Sequence, residues 1–413
     1  MSVCLREIME LQFFKRDGAE ALTEEGREKH SKALFLVKRL IRCAVEDGAT
    51  DIHFEPEEKA VLVRYRIDGV LRDIACYDKK TAAALVSCIK IAADLDITQR
   101  KRFQDGGFRG AYEKEDVEFR ISTVRDVCGD KMVLRILRTS PTDVSLDKIG
   151  LSKEGIATLR EFVARQQGVL LISGPTGSGK TTTLYTVLKE VDRIRRNVLT
   201  VEDPVEYHLD HTTQIEIDPD KQITFGAALR SSMRQDTNVI MIGEVRDEET
   251  AVTAIHLAFS GHLVLSSIHA RNASAIVYRL LDLGIEPYLL ASALHVLMNQ
   301  RLVRRLCQSC CLPVRPDSAF FEQLGLPALP TDTIYEPCGC KACGGTGYKG
   351  RTGIFELLKM TPELRDAIMN KLPQSKFERI VSQQFQTFLV DGINKVARGE
   401  TSLAEVVHVA HSI

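Results

Sequence analysis

Gly174–Thr181 reads GPTGSGKT; it follows the apolar run VLLIS at 169–173 and opens the helical stretch TTTLYTVLKE at 181–190. The pattern G-x-x-x-x-G-K-[ST] between a strand and a helix predicts a phosphate-binding loop. Its glycines let backbone N–H groups wrap an anion, and the start of the helix favours negative charge. Gly174, Pro175, Thr176, Gly177, Ser178, Gly179, Lys180, Thr181 and Thr182 form the candidate site. Lys180 is expected to reach the outer phosphates, and the Thr181 hydroxyl to ligate Mg²⁺.

Working outward, NVLTV, VIMIG and HLVLSSI are further short, continuously apolar runs separated by helical patterns. Strands buried on both faces predict a parallel α/β sheet. Chemistry then belongs at the ends of those strands. NVLTVEDPVE puts Glu202, Asp203 and Glu206 past one strand, and VIMIGEVRD puts Glu244 and Asp247 past another. One acid should orient an attacking water and one should hold the metal shell. The spacing does not decide between them; the reading favours Glu202 for the water and Glu244 for the metal. His262 and His269 flank the strand LVLSSI with six residues between them, and the reading places both on one sheet face. They are candidates to sense or stabilise a terminal phosphate.

Cys307-x-x-Cys310 and Cys340-x-x-Cys343 have the paired spacing of a four-thiolate zinc site, which leaves no open position and would serve to fold a loop-rich segment. Cys311 and Cys338 are spare thiols, and Cys338 is an alternative to Cys340.

Toward the N-terminus, Leu5, Ile8, Met9, Gln12 and Phe13 have the spacing of an amphipathic helix. A second helix pattern from Leu34 leads into GATDIHFEPEEKAVLVRYRIDGVL, where Asp68-Gly69 marks a hairpin, and a helix is expected over Lys80–Leu95. EFRISTV and KMVLRIL read as strands joined at Cys128-Gly129. That register would oppose Ser122 to Arg135 and Arg120 to Leu137, leaving Arg120 and Arg135 diagonal neighbours on one face, where two guanidinium groups could meet one anion. These segments predict an N-terminal extension at 1–30, an α+β domain at 31–139, a linker at 140–151 and an α/β domain at 152–413. The last includes a cysteine segment at 306–350 and a helical part from 351.

The 413 residues, 44% hydrophobic and 27% charged, suit a folded protein of two or three domains. With 55 Lys+Arg against 56 Asp+Glu, no overall charge calls for nucleic acid, and none is expected as partner. Local basic clusters, Arg193–Arg196 and Arg301–Arg305, are the features that would argue otherwise. No apolar run approaches roughly 18 residues, and the first residues lack a signal-peptide core, so a cytoplasmic location is expected.

Taken in order, GATDIHFEP, VRYRIDGVL, GPTGSGKTTTLY, VEDPVEY, RQDTNVIMIGEVRD, GHLVLSSIHA, QRLVRRLC with its cysteines, GYKGRTGIFELL and GETSLAEV resemble the GspE/PilB-type assembly ATPases of type II secretion and type IV pili. The resemblance covers nearly everything from Leu36 onward. It implies a smaller α+β, PAS-like domain before a RecA-like P-loop domain, with ATP, Mg²⁺ and Zn²⁺ as cofactors. It also implies a homo-hexamer at the cytoplasmic face of the inner membrane, turning a polytopic platform protein and working with other assembly components to polymerise pilin-like subunits. By position, Arg120 and Arg135 match the family's γ-phosphate arginines, Lys180 and Thr181 its Walker A residues, and Glu202 and Glu206 its acidic box. Glu244 matches its Walker B acid, and His262 and His269 its histidine box. A pilus retraction ATPase shares these boxes, but such relatives generally lack the four-cysteine insertion. A nucleotide-binding ring subunit with little hydrolysis is a further alternative.

Four departures accompany the resemblance. The stretch before the α+β domain is shorter than the separate docking domain of many relatives. Ala270-Arg271-Asn272 replaces the usual Thr-Asn-Asp, Thr237-Asn238 replaces Pro-Asp, and Arg125-Asp126 replaces Pro-Thr.

Overall fold

The computed structural model describes residues 12–14, 28–98, 103–112, 115–138, 144–316 and 331–410. The chain divides into two compact units, Met1–Thr142 and Asp143–Ile413.

The first unit is an antiparallel sheet of seven strands: β1 (Gln12–Phe14), β2 (Ala49–Pro56), β3 (Ala60–Ile67), β4 (Val70–Asp78), β5 (Gln104–Tyr112), β6 (Glu115–Arg125) and β7 (Asp130–Arg138), in the order β1-β5-β6-β7-β2-β3-β4. Helices α1 (Glu28–Glu46) and α2 (Lys79–Ala92) supply the rest of its core, which gathers Val37, Ile41, Ile52, Phe54, Tyr65, Leu85, Phe119 and Leu134. Alternation along β3, with Val61, Val63, Tyr65 and Ile67 buried, leaves Arg64 and Arg66 on the other face. Asp68 and Gly69 both take positive φ, 51° and 86°, as a two-residue hairpin turn between twisted strands requires. Asp78 caps α2 by accepting from the Lys80 and Thr81 amides, and the helix ends at Ala92 rather than Leu95. The N-terminal helix expectation falls mostly outside the described residues. Gln12 and Phe13 are instead in β1, where Phe13 is buried against Phe108.

The β6–β7 hairpin differs from its predicted register. Asp126 and Gly129 exchange backbone hydrogen bonds, so the loop is Val127-Cys128 and Arg120 stands directly opposite Arg135. Moving the loop by one residue displaces every partner by two, which preserves the sheet face. The two arginines therefore remain on one side.

The second unit is built on β8 (Gly168–Ser173), β9 (Val198–Glu202), β10 (Thr213–Glu216), β11 (Val239–Val245), β12 (Leu263–Ile268), β13 (Leu294–Leu306) and β16 (Tyr348–Lys359), in the order β10-β9-β11-β12-β8-β13-β16. All neighbours pair parallel except β13 and β16. Leu170, Ile172, Val198, Met241 and Leu265 face one core with α3 (Lys153–Val163) and α4 (Lys180–Lys189). Val169, Leu171, Val201, Ile242 and Val264 face the other, with α5 (Phe225–Ser232), α6 (Glu248–Phe259), α7 (Ala273–Asp282) and α8 (Pro287–Ala293). Burial on both faces is the reason these strands read as unbroken apolar runs.

A short pair, β14 (Leu312–Val314) and β15 (Ile334–Glu336), accompanies the cysteine segment. The C-terminal part is not helical from residue 351, because β16 first returns along β13. Helices α9 (Pro362–Met369), α10 (Gln374–Gln384), α11 (Phe388–Ala397) and α12 (Leu403–Ala410) follow. The predicted linker is also shorter than 140–151. Residues 139–143 lie outside the described residues, but Leu146 and Ile149 are buried in the second unit's core, and the Lys395 ammonium donates to the Gly150 carbonyl.

Candidate nucleotide and metal sites

Parallel pairing brings the C-terminal ends of β8, β9, β11 and β12 to one edge of the sheet, and the phosphate loop leaves β8 there. Gly179 caps α4 with φ 84°, and a Cβ on it would lie 2.9 Å from Gln300 Nε2, so glycine is required on both counts. Pro175, Thr176, Gly177, Thr181 and Thr182 are exposed, leaving the loop backbone and the Thr181 hydroxyl accessible. Lys180 Nζ donates to the Gly174 and Pro175 carbonyls at 2.9 and 3.1 Å. Burial holds its pKa below the ordinary lysine value, while the charge of Glu244 acts in the opposite direction. The Ser178 hydroxyl is buried with no hydrogen-bond partner among the described residues. An orphaned hydroxyl in a loop of open amides is what a phosphate oxygen would satisfy.

The two glutamates differ in surroundings. Glu202 is 2% exposed, and both of its carboxylate oxygens are taken. Tyr185 donates to Oε2, while Thr200 and Gln214 donate to Oε1 at 2.6 and 3.2 Å. The Tyr185 oxygen in turn accepts from the Glu206 amide at 3.4 Å, tying the acidic box to the phosphate-binding helix. Glu244 is more open. Its Oε1 lies 2.6 Å from His269 Nε2, and its Oε2 accepts from Arg246 Nε at 2.9 Å. Arg246 also reaches Asp203 at 3.4 Å.

The structure separates the two histidines. His269 follows β12 at the phosphate-loop edge, whereas His262 precedes it, with its carbonyl accepting from the Gly168 amide at the start of β8. Six strand residues, about 20 Å, lie between them. His262 Nδ1 sits 2.9 Å from the Leu257 carbonyl at the opposite edge of the sheet. Within this unit His262 therefore lies away from the terminal-phosphate end, and the shared-face expectation is corrected with it, because an interval of seven along an alternating strand reverses the face.

Three residues of β13 to which the sequence reading gave no role at the site close it. Gln300 Nε2 donates to the Ser178 carbonyl at 2.8 Å, and its Oε1 accepts from the Thr183 hydroxyl at 2.7 Å. Asn299 Nδ2 donates to Ser173 Oγ at 2.7 Å and to the Ala270 carbonyl at 3.4 Å. Arg301, 7% exposed, donates to Asn299 Oδ1 at 2.9 Å and to the Arg271 carbonyl at 3.2 Å. Gln300 and Arg301 open the QRLVRRLC motif, and Arg301 begins the basic cluster that runs to Arg305, but neither pattern ties them to the phosphate loop.

In the first unit, Arg120 and Arg135 lie on the sheet face away from the helices. Arg120 is 3.4 Å from Glu118, and Arg135 is 3.1 Å from Asp51, which also lies 3.6 Å from Arg66.

Cys307, Cys310, Cys340 and Cys343 bring their sulfurs within 4.8 Å of one another. Cys307–Cys340 and Cys310–Cys343 are each 3.9 Å apart. Four Zn–S bonds of ~2.3 Å in a tetrahedron need sulfurs about 3.8 Å apart, so the cluster fits zinc. Amides of Cys340 and Gly347 donate to Cys343 Sγ at 3.1 and 3.2 Å, hydrogen bonds that favour a thiolate. Cys338 is exposed, and Cys311 also stands outside the group.

The family described as type II/IV secretion system protein matches residues 27–408. The chain belongs to this family. It is 41% identical over 387 residues to the putative type II secretion system protein E of Escherichia coli (strain K12), covering 93% of this chain and 78% of that protein. It is 37% identical over 399 residues to the type IV pilus assembly ATPase PilB of Thermus thermophilus, covering 96% of this chain and 45% of that one. The X-ray structure of the Legionella pneumophila ATPase DotB shares the fold at a TM-score of 0.70 and 20% identity, covering 92% of this chain and 96% of that chain. Family membership together with the intact phosphate loop makes the chain an ATPase. Among the described residues, no helix is long and apolar enough to cross a membrane.

Proposed function

We propose that this chain is a hexameric motor that couples ATP hydrolysis to assembly of pilin-like filaments, in type II secretion or type IV pilus biogenesis. The observation that carries the reading is the convergence of Lys180, Glu244 and His269 at one edge of a P-loop sheet, in a member of this family. Relatives named for type II secretion and for pilus assembly support the cellular role.

The loop amides, Ser178 and Lys180 hold the phosphates, and the Thr181 hydroxyl holds Mg²⁺, which would neutralise charge on the outer phosphates. Glu244 orients the attacking water, with Arg246 and His269 fixing its carboxylate. This reverses the roles favoured from sequence. Glu202, enclosed and accepting from three donors, maintains the acidic box instead of meeting water. Arg120 and Arg135 supply positive charge to the γ-phosphate within the hexamer. Zinc on the four thiolates folds the segment between β13 and β16. A polytopic inner-membrane platform protein receives the work at the cytoplasmic face.

Hydrolysis measured together with mass in solution tests this reading: a hexamer that hydrolyses ATP supports the motor. A well-formed hexamer that binds ATP without turnover would favour a regulatory ring subunit.

A further inference from the structure

β13 pairs with β8 so that Asn299 stands beside Ser173, the last residue before the phosphate loop. From there its side chains alternate, Gln300 to one face and Asn299 with Arg301 to the other. The two faces meet different parts of the site. Gln300 is 2% exposed, and its amide bridges Ser178 in the loop and Thr183 in the first turn of α4. The Ser178 carbonyl can only accept, so the NH₂ must face it and the amide orientation is determined. A Cβ on Gly174 would collide with the Gln300 carbonyl, so the loop is shaped against the backbone of β13 as well.

On the opposite face, Asn299 and Arg301 hold the loop that follows His269. Both contacts go to main-chain carbonyls, those of Ala270 and Arg271. The departure Ala270-Arg271-Asn272 therefore leaves these holds intact. Asn272 still caps α7, accepting from the Ala275 amide at 2.7 Å.

We propose that Asn299, Gln300 and Arg301 are positioning residues of the ATPase site, Gln300 setting the phosphate loop from one face of β13 and Asn299 with Arg301 setting the His269 loop from the other. The inference rests on the ATPase reading. A preorganised phosphate loop acts on bound nucleotide before and during reaction, whereas the His269 loop acts through Glu244 on turnover. Opposite faces then have opposite kinetic signatures.

The test uses the full-length, zinc-loaded protein with Gln300→Leu, Gln300→Glu, Arg301→Met and Arg301→Lys, reading kcat and KM for MgATP alongside melting temperature. Gln300→Leu is expected to raise KM at least about tenfold with kcat within threefold. Gln300→Glu keeps the acceptor for Thr183 but loses the donor to Ser178, and should raise KM too. Arg301→Met is expected to lower kcat at least about tenfold with KM within threefold, and Arg301→Lys to recover part of it. Folded variants with wild-type constants would overturn the proposal. So would variants in which kcat falls only in proportion to the folded fraction, with KM unchanged in all four. An inactive wild-type protein would instead sink the ATPase reading itself.

Discussion

Glu244 and His269 are joined by a 2.6 Å contact between Oε1 and Nε2, across the ends of neighbouring parallel strands. With Arg246 on the other oxygen, the carboxylate is fixed between two cationic or donor groups and kept beside Lys180. Glu244→Gln is expected to reduce turnover by at least about a hundredfold while ATP still binds and the fold is retained. Glu202→Gln has a different signature. It sets an NH₂ among donors that need an acceptor, and is expected to lower the melting temperature as well as activity. Residual rates and melting curves of the two variants distinguish them; loss of stability without loss of turnover in Glu244→Gln would reverse the assignment.

Arg120 and Arg135 face each other across the β6–β7 hairpin, yet each has a carboxylate near it, Glu118 and Asp51. Asp51 keeps Arg66 as a neighbour when Arg135 is removed, so the fold should tolerate the change. Arg120→Ala and Arg135→Ala are each expected to lower kcat at least about tenfold, with nucleotide affinity within a few-fold of wild type. Wild-type turnover in both would remove them from the reaction.

Much of the site was legible in the sequence, for physical reasons that differ by residue. Strands buried on both faces gave unbroken apolar runs, and the phosphate loop needed glycine at positions where a Cβ collides. The face shared by Arg120 and Arg135 survived an error in the hairpin loop because a whole-residue loop shift preserves strand parity. The separation of His262 from His269 follows from strand geometry alone, since residues that flank a strand lie at its opposite ends and an interval of seven reverses the face. The enclosure of Glu202 was not legible, because its partners Tyr185 and Gln214 come from a helix and an edge strand 17 and 12 residues away. Gln300 opens the QRLVRRLC motif, but its role was not legible because it depends on β13 lying beside β8.

The four-cysteine cluster carries an expectation about metal content. Elemental analysis of the purified chain is expected to find one zinc per chain, and chelation to lower the melting temperature of the second unit. Cys343→Ser should abolish zinc retention, since Cys343 also anchors the amides of Cys340 and Gly347. Cys338→Ser, outside the cluster, should retain it. Zinc retained by the Cys343 variant and lost by the Cys338 variant would reassign the ligands.

Acid sensitivity is expected from His295 at the start of β13. Burial is the largest cause holding its pKa below the ordinary 6.5, with Arg165 and Arg365 adding to it and the Ala293 carbonyl opposing. A folded value below the unfolded one means that the unfolded chain binds more protons as pH falls through about 6.5, so stability declines from there downward. Melting temperature followed from pH 7.5 to 5.5 should fall less steeply in His295→Gln than in wild type. Identical slopes would exclude His295 as a contributor.

The most direct test is steady-state ATP hydrolysis by the purified, zinc-loaded chain, with Lys180→Ala as the control. The expected result is turnover in the wild-type protein that is lost in Lys180→Ala while the variant keeps its fold. Equal turnover in both, or none in a wild-type protein that is folded and binds MgATP, would contradict the assignment of this P-loop edge as a hydrolytic site.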